Sequence, residues 1–391
     1  MNFVEFFAGV GLVREGLSRD QWNCVWANDI CADKGSTYTA NYGSGHFQLG
    51  DIWDVAKAPE SIPNSAFLYT ASFPCTDLSE AGARKGLAGA ESGTLNALLE
   101  ILGTKQRQGV APPVVMLENV RGFLTSKDGR DVAFTVRALN ELGYLVDIIE
   151  LDASYFTPQS RQRVFLVAVE RGLAEVAAYV KRPGVCLDNW WSLFDREPAL
   201  RSSSLERIIR NHDNLGWCLL DLTTPVRTTA VLADIIEDDM DESSKLWWSD
   251  ERASKLFDQM SDAHQATLLA MSKQEEWSYG TVFRRMRKGK SMAEMRTDGI
   301  AGCLRTPRGG SSKQIVICAG FGEWRVRLLT PREYARLQGV RDSFELPENA
   351  NKGYFAMGDA VCVPVIEYLS ENVLLNLYQR NLEMTGDAIA V

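Results

Sequence analysis

Short apolar runs alternate with longer amphipathic stretches from residue 1 to about residue 170. Apolar runs bounded by glycine and polar positions are typical of buried strands, and a 3.6-residue apolar period is typical of helices. The pattern predicts strands at Asn2–Phe7, Cys24–Ala27, Ala66–Ala71, Val114–Leu117, Leu145–Leu151 and Val164–Val169. Helical patterns fill the intervals, notably at Leu95–Gln106 and Val132–Leu142. This alternation predicts an α/β fold with a mostly parallel, doubly wound sheet, whose ligands bind at the carboxyl ends of its strands.

The pattern changes after residue 172. Residues 183–320 are rich in Trp, Ser, Gly and charged residues and show no regular alternation, which predicts a separate, smaller domain. A helix start follows at Pro331–Leu337, and Gly353–Val365 is predicted as a loop followed by a strand or a helix. We expect a discontinuous first domain with a second domain inserted into it. The predicted bounds are 1–183 with 350–391 for the first domain and 184–349 for the second.

Composition narrows the class of protein. The chain has 391 residues, of which 45% are hydrophobic and 24% are charged, as in a globular protein with a sizeable core. It has no run of about 18 apolar residues, and its first residues do not resemble a secretory signal, so we expect no membrane span. Eight cysteines form no CxxC pair and accompany only three histidines. We therefore expect a reduced, cytoplasmic protein without a metal site or a disulfide framework.

The net charge of −9 does not by itself suggest a nucleic-acid partner, but the charges are unevenly distributed. Residues 281–341 contain 14 Lys and Arg against four Asp and Glu, whereas residues 234–262 contain ten acidic and three basic residues. A basic segment on an acidic protein concentrates a polyanion on one face. The charge distribution alone is equally compatible with a polyanion-binding surface and with a solvated surface that has no partner.

The first predicted strand leads into Phe7-Ala8-Gly9-Val10-Gly11, where glycines stand between a strand and a helix. Glycines at this place let a ligand approach the backbone amides at a helix N-terminus, although the third glycine of the dinucleotide pattern is not in register. Asp29 and Asp51 follow at the ends of candidate strands. Carboxylates at these positions accept hydrogen bonds from ribose hydroxyls or from the exocyclic amine of adenine. Together these residues favour a cofactor that contains adenosine.

Polar groups also follow the next strands. Ser72-Phe73-Pro74-Cys75 presents a thiol at one strand end, and Leu117-Glu118-Asn119-Val120 presents an acid and an amide at the corresponding level. Packing does not readily account for these three groups at neighbouring strand ends. Gln159-Ser160-Arg161-Gln162-Arg163 then leads into a strand, where positions 161 and 163 point the same way. These two arginines fit either a pocket or salt bridges at the start of the strand.

Taken in order, these stretches resemble the cytosine-C5 DNA methyltransferases of prokaryotic type. The resemblance covers residues 1–170 and 325–370, and it rests on the glycine turn, Gly50-Asp51-Ile52, the Pro-Cys step, Glu-Asn-Val, the arginine pair, Arg327–Glu333, and Gly358–Val361 with Pro364-Val365. It implies a Rossmann-like S-adenosylmethionine-dependent methyltransferase sheet with a smaller, irregular target-recognition domain inserted. It also implies methyl transfer to cytosine C5 in double-stranded DNA, with S-adenosylmethionine as the cofactor.

The resemblance assigns roles to individual residues. The Cys75 thiolate would add to C6 of a flipped-out cytosine, Glu118 would protonate N3 and Arg163 would contact O2. Arg161 would support the same pocket, and Asn119 would order the loop that carries Cys75. The residues that would line the cofactor site by matching position are Phe7, Gly9, Gly11, Asp29, Ile30, Asp51, Ile52, Pro74, Leu95, Asp359 and Val361.

For DNA recognition, the resemblance points to residues of about 184–340. The loop Ser79–Gly86, which carries Arg84 and Lys85, would close over the DNA. Arg305 and Arg308 lie in a turn-rich segment that could bring guanidiniums to guanine edges, with a solvated surface as the alternative. The cluster that would contact phosphates is Arg284, Arg285, Arg287 and Lys288.

Three positions depart from the family pattern. Asp359 stands where an asparagine is usual, so it lacks two amide donors and places a charge near the carboxylate of the methyl donor. Leu12 replaces a common second glycine, and Asp29 replaces a longer glutamate. The change at Asp359 puts the affinity for the donor in question.

The main interpretation is a DNA methyltransferase of a restriction–modification or other anti-phage defence system. Methylation of tRNA cytosine by the same chemistry is a second interpretation, against which the large basic insertion favours duplex DNA. A catalytically silent DNA-binding protein, motivated by Asp359, is a third. A nicotinamide oxidoreductase is disfavoured, because it has no use for Pro74-Cys75 together with Glu118-Asn119.

Overall fold

The computed structural model describes residues 1–74, 93–181, 188–237, 244–287, 289–307 and 313–386. The chain forms two compact units, and each of them is discontinuous in sequence. The first unit consists of Met1–Asp152, Gln162–Pro225 and Val365–Val391, and the second consists of Ala153–Arg161 and Val226–Pro364.

A seven-stranded sheet forms the centre of the first unit, in the order β3-β2-β1-β4-β5-β7-β6. Neighbouring strands from β3 to β5 pair in parallel, while β7 is antiparallel to both β5 and β6. The strands are β1 (Asn2–Phe6), β2 (Asn23–Asp29), β3 (Phe47–Leu49), β4 (Leu68–Ser72), β5 (Val114–Val120), β6 (Tyr144–Asp152) and β7 (Gln162–Glu170). Each predicted strand is present within a few residues, whereas the three-residue β3 was not predicted.

Helices and two further short strands complete the first unit. In α4 (Thr94–Arg107), buried positions recur at Leu95, Leu98, Ile101 and Leu102, which is the spacing of one helix face. The other helices are α1 (Leu12–Leu17), α2 (Ala32–Tyr42), α3 (Ile52–Lys57), α5 (Gly122–Thr125), α6 (Arg130–Glu141), α7 (Arg171–Ala177), α8 (Asp188–Asp195), α9 (Ser203–Asn211) and α15 (Leu375–Thr385). The two-stranded ladder consists of β8 (Tyr179–Val180) and β9 (Cys218–Leu219).

The division between the units differs from the predicted domain bounds. Residues that were assigned to an insertion beginning at 184 belong to the first unit as far as Pro225. The physical reason is their apolar side chains: Trp190, Leu205 and Trp217 are buried in the hydrophobic core beside residues of β5 and β6. At the other end, the second unit extends to Pro364 rather than to residue 349.

The second unit contains a four-stranded antiparallel sheet in the order β11-β10-β12-β13. The sequence did not predict these strands, because residues 183–320 show no regular alternation. Alternation is lost because the last four residues of β10 are all exposed, so both faces carry polar residues there. The strands are β10 (Ser278–Arg287), β11 (Lys290–Arg296), β12 (Ile315–Gly320) and β13 (Glu323–Leu328), and the helices are α10 (Asp250–Asp258), α11 (Asp262–Ser272), α12 (Pro331–Leu337) and α13 (Ala350–Gly358).

Helix α12 lies where the sequence predicts a helix start. Thr330 and Glu333 form a capping box, in which the Thr330 hydroxyl accepts a hydrogen bond from the Glu333 amide at 3.1 Å and the Glu333 carboxylate accepts one from the Thr330 amide at 2.8 Å. Pro331 occupies the first helical position, where its missing N–H leaves no hydrogen bond unmade. Local signals therefore define this helix independently of its surroundings.

The predicted loop and element near residue 353 are two helices, α13 and α14 (Val363–Leu369), and α14 crosses the division between the units. The segment Ala350–Thr385 is long and apolar enough to span a membrane by length and mean hydropathy alone. In its most apolar window 61% is buried within the protein, as is common for the core helix of a folded domain.

Candidate active site

The glycine turn between β1 and α1 has an unusual backbone. Phe7, Gly9 and Gly11 all have positive φ angles, of 53°, 58° and 86°. A Cβ atom at Gly11 would lie 2.6 Å from the Tyr42 ring, so glycine is required there. At Gly9 a Cβ atom would meet nothing closer than Lys34 Cδ at 4.0 Å. The Gly9 backbone is therefore open to a ligand at a distance that a side chain would prevent.

Asp29 fixes this turn from the end of β2. One carboxylate oxygen accepts a hydrogen bond from the Gly9 amide at 2.8 Å, and the other accepts one from the Cys31 amide at 2.8 Å. A carboxylate has about four lone-pair sites, so these two bonds leave capacity for ligand hydroxyls. The next side chain, Ile30, is apolar yet 68% exposed. The turn, the acid and an exposed apolar side chain fit the ribose and base of an adenosine group.

The remaining predicted cofactor residues lie in two settings. Asp51 caps α3 by accepting a hydrogen bond from the Trp53 amide at 2.9 Å, while Ile52 and Leu95 are buried in the core of the first unit. Pro74 is partly buried directly after the end of β4. In the second unit, Val361 is buried and Asp359 is exposed at the end of α13.

Glu118 and Arg163 form an ion pair at the carboxyl end of β5. Arg163 Nε lies 3.0 Å from Glu118 Oε1, and both side chains are almost buried. Glu118 is paired in register with Ser72, the last residue of β4, so it lies level with the strand end that precedes Pro74. The structure therefore brings together the predicted acid and one predicted arginine beside the segment that leads to Cys75.

Asn119 is buried and connects the same two strand ends. Its side-chain amide donates a hydrogen bond to the Phe73 carbonyl at 3.2 Å, and its side-chain oxygen accepts one from the Val120 amide at 2.8 Å. Phe73 precedes Cys75 by two residues. Cys75 itself lies outside the described residues, as do Arg84, Lys85, Lys288 and Arg308.

Arg161 has a different environment from Arg163. It is 1% exposed, and its guanidinium donates hydrogen bonds to the carbonyls of Leu304 at 2.9 Å, Gly358 at 3.3 Å and Ala360 at 2.7 Å, all within the second unit. Strand β7 begins at Gln162, so the strand alternation that predicted a shared direction does not extend back to residue 161. Arg161 holds the backbone before Val361, whereas Arg163 holds a carboxylate.

Two buried glutamines add to this network, and sequence reasoning missed Gln338 as a functional residue. Gln159 donates to the Leu337 carbonyl at 3.0 Å and accepts from the Leu304 amide at 3.2 Å. Gln338 donates to the Met357 carbonyl at 2.7 Å and to the Ala360 carbonyl at 3.1 Å. The signal in the sequence that could have indicated Gln338 is its position directly after the last residue of a well-capped amphipathic helix. Such a buried amide must find partners, because an unpaired one is costly.

Glu5 was also missed. It lies in the centre of β1, is 1% exposed and forms no ion pair with any described residue. Burial raises the pKa of Glu5 to about 8, against the opposing effect of the Arg14 charge. The Glu5 carboxyl group is therefore mostly protonated at neutral pH.

Among the predicted DNA contacts, Arg284, Arg285 and Arg287 are exposed on β10, and Arg305 is exposed in the loop before β12. Arg287 pairs with Glu294 at 2.6 Å, and Arg285 lies 3.8 Å from the same carboxylate. Within the ranges that the structure describes, no group of three His, Cys, Asp or Glu residues could hold a metal ion.

Comparison with known proteins decides the family. The family model for C-5 cytosine-specific DNA methylases matches residues 1–374. The chain belongs to this family. Among its relatives, the Type II methyltransferase M.DsaV of Dactylococcopsis salina is 25% identical over 96% of this chain and 86% of that protein. M.MspI of Moraxella sp is 25% identical over 97% of this chain and 72% of that protein.

Solved structures support the fold. The Dnmt2 methyltransferase of S. pombe superimposes with a TM-score of 0.59 at 17% identity, covering 98% of this chain and 99% of that one. A putative DNA modification methyltransferase encoded within an E. coli prophage gives a TM-score of 0.56 at 18% identity, covering 97% of this chain and 99% of that one. The predicted S-adenosylmethionine-dependent methyltransferase fold is thus confirmed.

As a C-5 cytosine-specific DNA methylase, the chain is a DNA (cytosine-5-)-methyltransferase whose substrate is DNA and whose cofactor is S-adenosylmethionine. The residues at the glycine turn fit this cofactor. Gly9 leaves open space above its backbone, Asp29 retains lone pairs for hydroxyl donors, and Ile30 exposes an apolar side chain beside them. The expectations of the cofactor and of the enzyme class are confirmed.

Proposed function

We propose that this methyltransferase methylates C5 of a cytosine that is flipped out of a specific double-stranded DNA sequence, through a temporary covalent bond from Cys75. The observation that carries the proposal is the Glu118–Arg163 ion pair at 3.0 Å, level with the end of the strand that precedes Pro74 and Cys75. An acid and a guanidinium level with the end of the strand that precedes a cysteine in the sequence suit a ring that must be held, protonated and attacked.

The chemistry begins with the poor reactivity of cytosine C5. The Cys75 thiolate forms a bond from Sγ to C6, and the electrons of the C5–C6 double bond make C5 nucleophilic. Bound S-adenosylmethionine supplies an electrophilic methyl group on a sulfonium. Loss of the C5 proton to a base then expels the Cys75 thiolate, which restores the double bond and frees the enzyme. Since C6 is inaccessible in a stacked duplex, the base must first leave the helix, at about a few kcal/mol.

The chain's own residues stabilise the charge that develops on the ring. Glu118 holds a proton at N3, where negative charge accumulates after attack at C6. Arg163 orients the Glu118 carboxyl through Nε, and its planar fork of donors suits the ring oxygen O2. Asn119 orders the chain before Cys75 through the Phe73 carbonyl. Arg161 holds the backbone of the segment that precedes Val361, through hydrogen bonds to the carbonyls of Gly358 and Ala360.

We assign catalysis and the cofactor contacts of the glycine turn to the first unit, and DNA recognition to the second. The second unit carries the exposed arginines 284, 285, 287 and 305. The loop with Arg84 and Lys85, together with Lys288 and Arg308, would add further contacts. Because arginines 284, 285, 287 and 305 expose positive charge on the second unit of a chain of net charge −9, they would concentrate a polyanion locally.

The biological role that we propose is protection of DNA in a restriction–modification or another anti-phage defence system, in the cytoplasm at the nucleoid. The support is that full-length relatives are named Type II methyltransferases. A cognate restriction endonuclease would be the partner. Expression of the protein should protect the DNA of its host from that nuclease, and unprotected DNA would contradict the role.

The proposed activity is tested by bisulfite sequencing of DNA from cells that express the protein. We expect 5-methylcytosine at one short recognition sequence, and none with Cys75→Ser. Transfer of labelled methyl groups to purified tRNA but not to duplex DNA would contradict the DNA proposal and support the tRNA alternative. Wild-type protein that binds DNA and methylates neither substrate would be a silent DNA-binding protein.

A further inference from the structure

The strands β10 and β11 extend beyond the rest of their sheet. Strand β12 pairs with β10 only over Ser278–Val282, whereas β11 pairs with it as far as Arg287. The outer part is therefore a two-stranded ribbon, and residues from Arg284 to Arg287 are exposed on it. A ribbon of this kind is narrow enough to approach a DNA groove.

The two faces of this ribbon carry different charges. Side chains alternate along a strand, so Arg285 and Arg287 share one face, while Arg284 and Met286 share the other. On the first face, Glu294 pairs with Arg287 at 2.6 Å and lies 3.8 Å from Arg285. The Glu294 carboxylate on that face offsets part of the charge of the two arginines and occupies their donors. On the second face, Arg284 forms no ion pair with a described residue, so its charge is not offset in this way.

Trp248 organises the second face. Its backbone amide donates to the Val326 carbonyl at 2.8 Å, and its ring packs against the core of the second unit. The Arg252 guanidinium carbon lies 3.7 Å from the centre of the Trp248 ring, and that of Arg284 lies 5.8 Å from it. Two cations thus share one aromatic ring, which positions both guanidiniums on a fixed, partly buried support.

These two arginines repel each other and have no neutralising partner in the described ranges. Neither forms an ion pair there, although the nearby Glu251 pairs with Lys255 at 2.6 Å. Burial lowers the pKa of Arg252, and the charge of Arg284 lowers it further. An anion bound between the guanidiniums would relieve this repulsion.

We propose that Arg252, Arg284 and Trp248 form a binding site for a phosphodiester of the DNA backbone, so that the Trp248 face of the ribbon, and not the Glu294 face, meets the DNA. This inference rests on the proposed role of the second unit in DNA recognition. It assigns DNA contact to Arg252 and Trp248, and it separates Arg284 from its neighbours Arg285 and Arg287.

The test measures the affinity for duplex DNA as a function of salt concentration. Each protein–phosphate contact contributes about 0.9 to the slope of log affinity against log salt. We expect Arg252→Gln and Arg284→Gln each to reduce the slope by about 1, on specific and unrelated sequences alike. Arg285→Gln is the matched control, because it removes the same charge from the adjacent residue. It should reduce the slope by less than half as much.

A second control examines the opposite face. Glu294→Gln removes the carboxylate that pairs with Arg287, and we expect little change in affinity for DNA because that face does not meet the backbone. All four substituted side chains are at or near the surface, so unfolding midpoints should stay close to the wild-type value. These midpoints separate loss of a contact from loss of the fold.

Two results would overturn the inference. One is an equal loss of slope for Arg284→Gln and Arg285→Gln, and the other is a strong gain of affinity for Glu294→Gln. The proposed function fails separately, if the wild-type protein binds duplex DNA without methylating it or does not bind it. In the latter case the phosphate site fails as well, since no DNA ligand would exist.

Discussion

Arg161 and Arg163 are separated by one residue, yet their guanidiniums have opposite surroundings. Arg161 is buried among backbone carbonyls of Leu304, Gly358 and Ala360, whereas Arg163 pairs with the carboxylate of Glu118. Carbonyl partners satisfy the donors of an arginine and fix three pieces of backbone. A carboxylate partner holds a second titratable group where chemistry can use it. We therefore infer that Arg161 supports the fold, and we propose that Arg163 supports the reaction.

This difference has energetic consequences. Removing Arg161 takes a donor away from the carbonyls of Leu304 and Gly358, at about 1–3 kcal/mol for each, whereas the Ala360 carbonyl keeps the hydrogen bond from Gln338. Removing Arg163 leaves the almost buried carboxylate of Glu118 without its ion-pair partner. We therefore expect substitutions of Arg161 to affect mainly stability, and substitutions of Arg163 to affect the methylation rate most strongly.

The largest effect on the methylation rate is expected from substitution of Glu118, the ion-pair partner of Arg163. Glu118→Gln keeps the shape of the side chain and removes its ability to exchange a proton with N3. We expect the methylation rate to fall by about 10²- to 10⁴-fold, with little change in DNA affinity. Single-turnover methyl transfer and a binding isotherm measure the two quantities. Equal losses in both would contradict the proton-holding role.

Glu150→Gln is the matched control for Glu118. Glu150 is another buried acid near a strand end of the same sheet, where it accepts a hydrogen bond from the Ser202 amide at 2.9 Å and pairs with Arg121 at 3.2 Å. The same chemical change there should leave the methylation rate within about threefold of wild type, since the interactions of Glu150 are structural.

The two arginines can be compared directly. Arg163→Met should lower the methylation rate by about 10²-fold, because one donor to the developing charge is lost. Arg161→Met should lower the free energy of unfolding by about 3 kcal/mol. Urea unfolding and single-turnover rates, measured on both variants, give the comparison. If the loss of methylation rate relative to the loss of stability is the same in both variants, the proposed difference between the two arginines is contradicted.

Glu5 shows how burial changes the pKa of a carboxyl group that forms no ion pair with a described residue. Its pKa of about 8 exceeds the ordinary value of 4.5, so the folded state retains a proton that the unfolded state loses above pH 4.5. The stability from this group is present below pH 4.5 and is lost as the pH rises towards 8, by about 1.4 kcal/mol per pH unit. Glu5→Gln should remove this loss. The free energies of unfolding of both proteins at pH 5.5 and 7.5 test this prediction. If the difference between the two pH values is the same in Glu5→Gln as in the wild type, the prediction is contradicted.

The smallest effect is expected in the segment that Arg161 holds. Asp359 lacks the amide donors that family members usually supply at this position. Asp359→Asn should lower the dissociation constant of S-adenosylmethionine about fivefold, the value of one modest hydrogen bond. Titration calorimetry measures it, with the exposed Asp258→Asn at the end of α10 as the control. Weaker donor binding would show that the carboxylate assists the cofactor.

The sequence predicted the first unit well for physical reasons. Its central strands are buried on both faces and therefore appear as uninterrupted apolar runs, such as those around Val114 and Val164. The start of helix α12 could be predicted because the signals for it, a capping box and a proline at the first helical position, are local. Polar groups at strand ends, such as Glu118 and Asp29, could be placed because parallel strands bring their carboxyl ends to one edge.

Non-local contacts explain what the sequence did not predict. The first unit retains residues up to Pro225 because Trp217 and Leu205 reach its core, and no local pattern indicates which core receives them. The carbonyls around Arg161 come from segments about 140 and 200 residues away. The pairing of Arg284 with Trp248 likewise depends on a sheet whose exposed strands lack alternation.

The account depends most on the covalent step at Cys75, and a mechanism-based trap tests it directly. A duplex that carries 5-fluorocytosine at the recognition sequence blocks release, because fluorine cannot leave C5 as a proton does. With S-adenosylmethionine present, we predict a complex that survives denaturation and whose DNA is attached through residue 75. Cys75→Ser should give none. An enzyme that methylates the normal duplex but never forms this adduct, or forms it equally in the Cys75→Ser variant, would contradict the account.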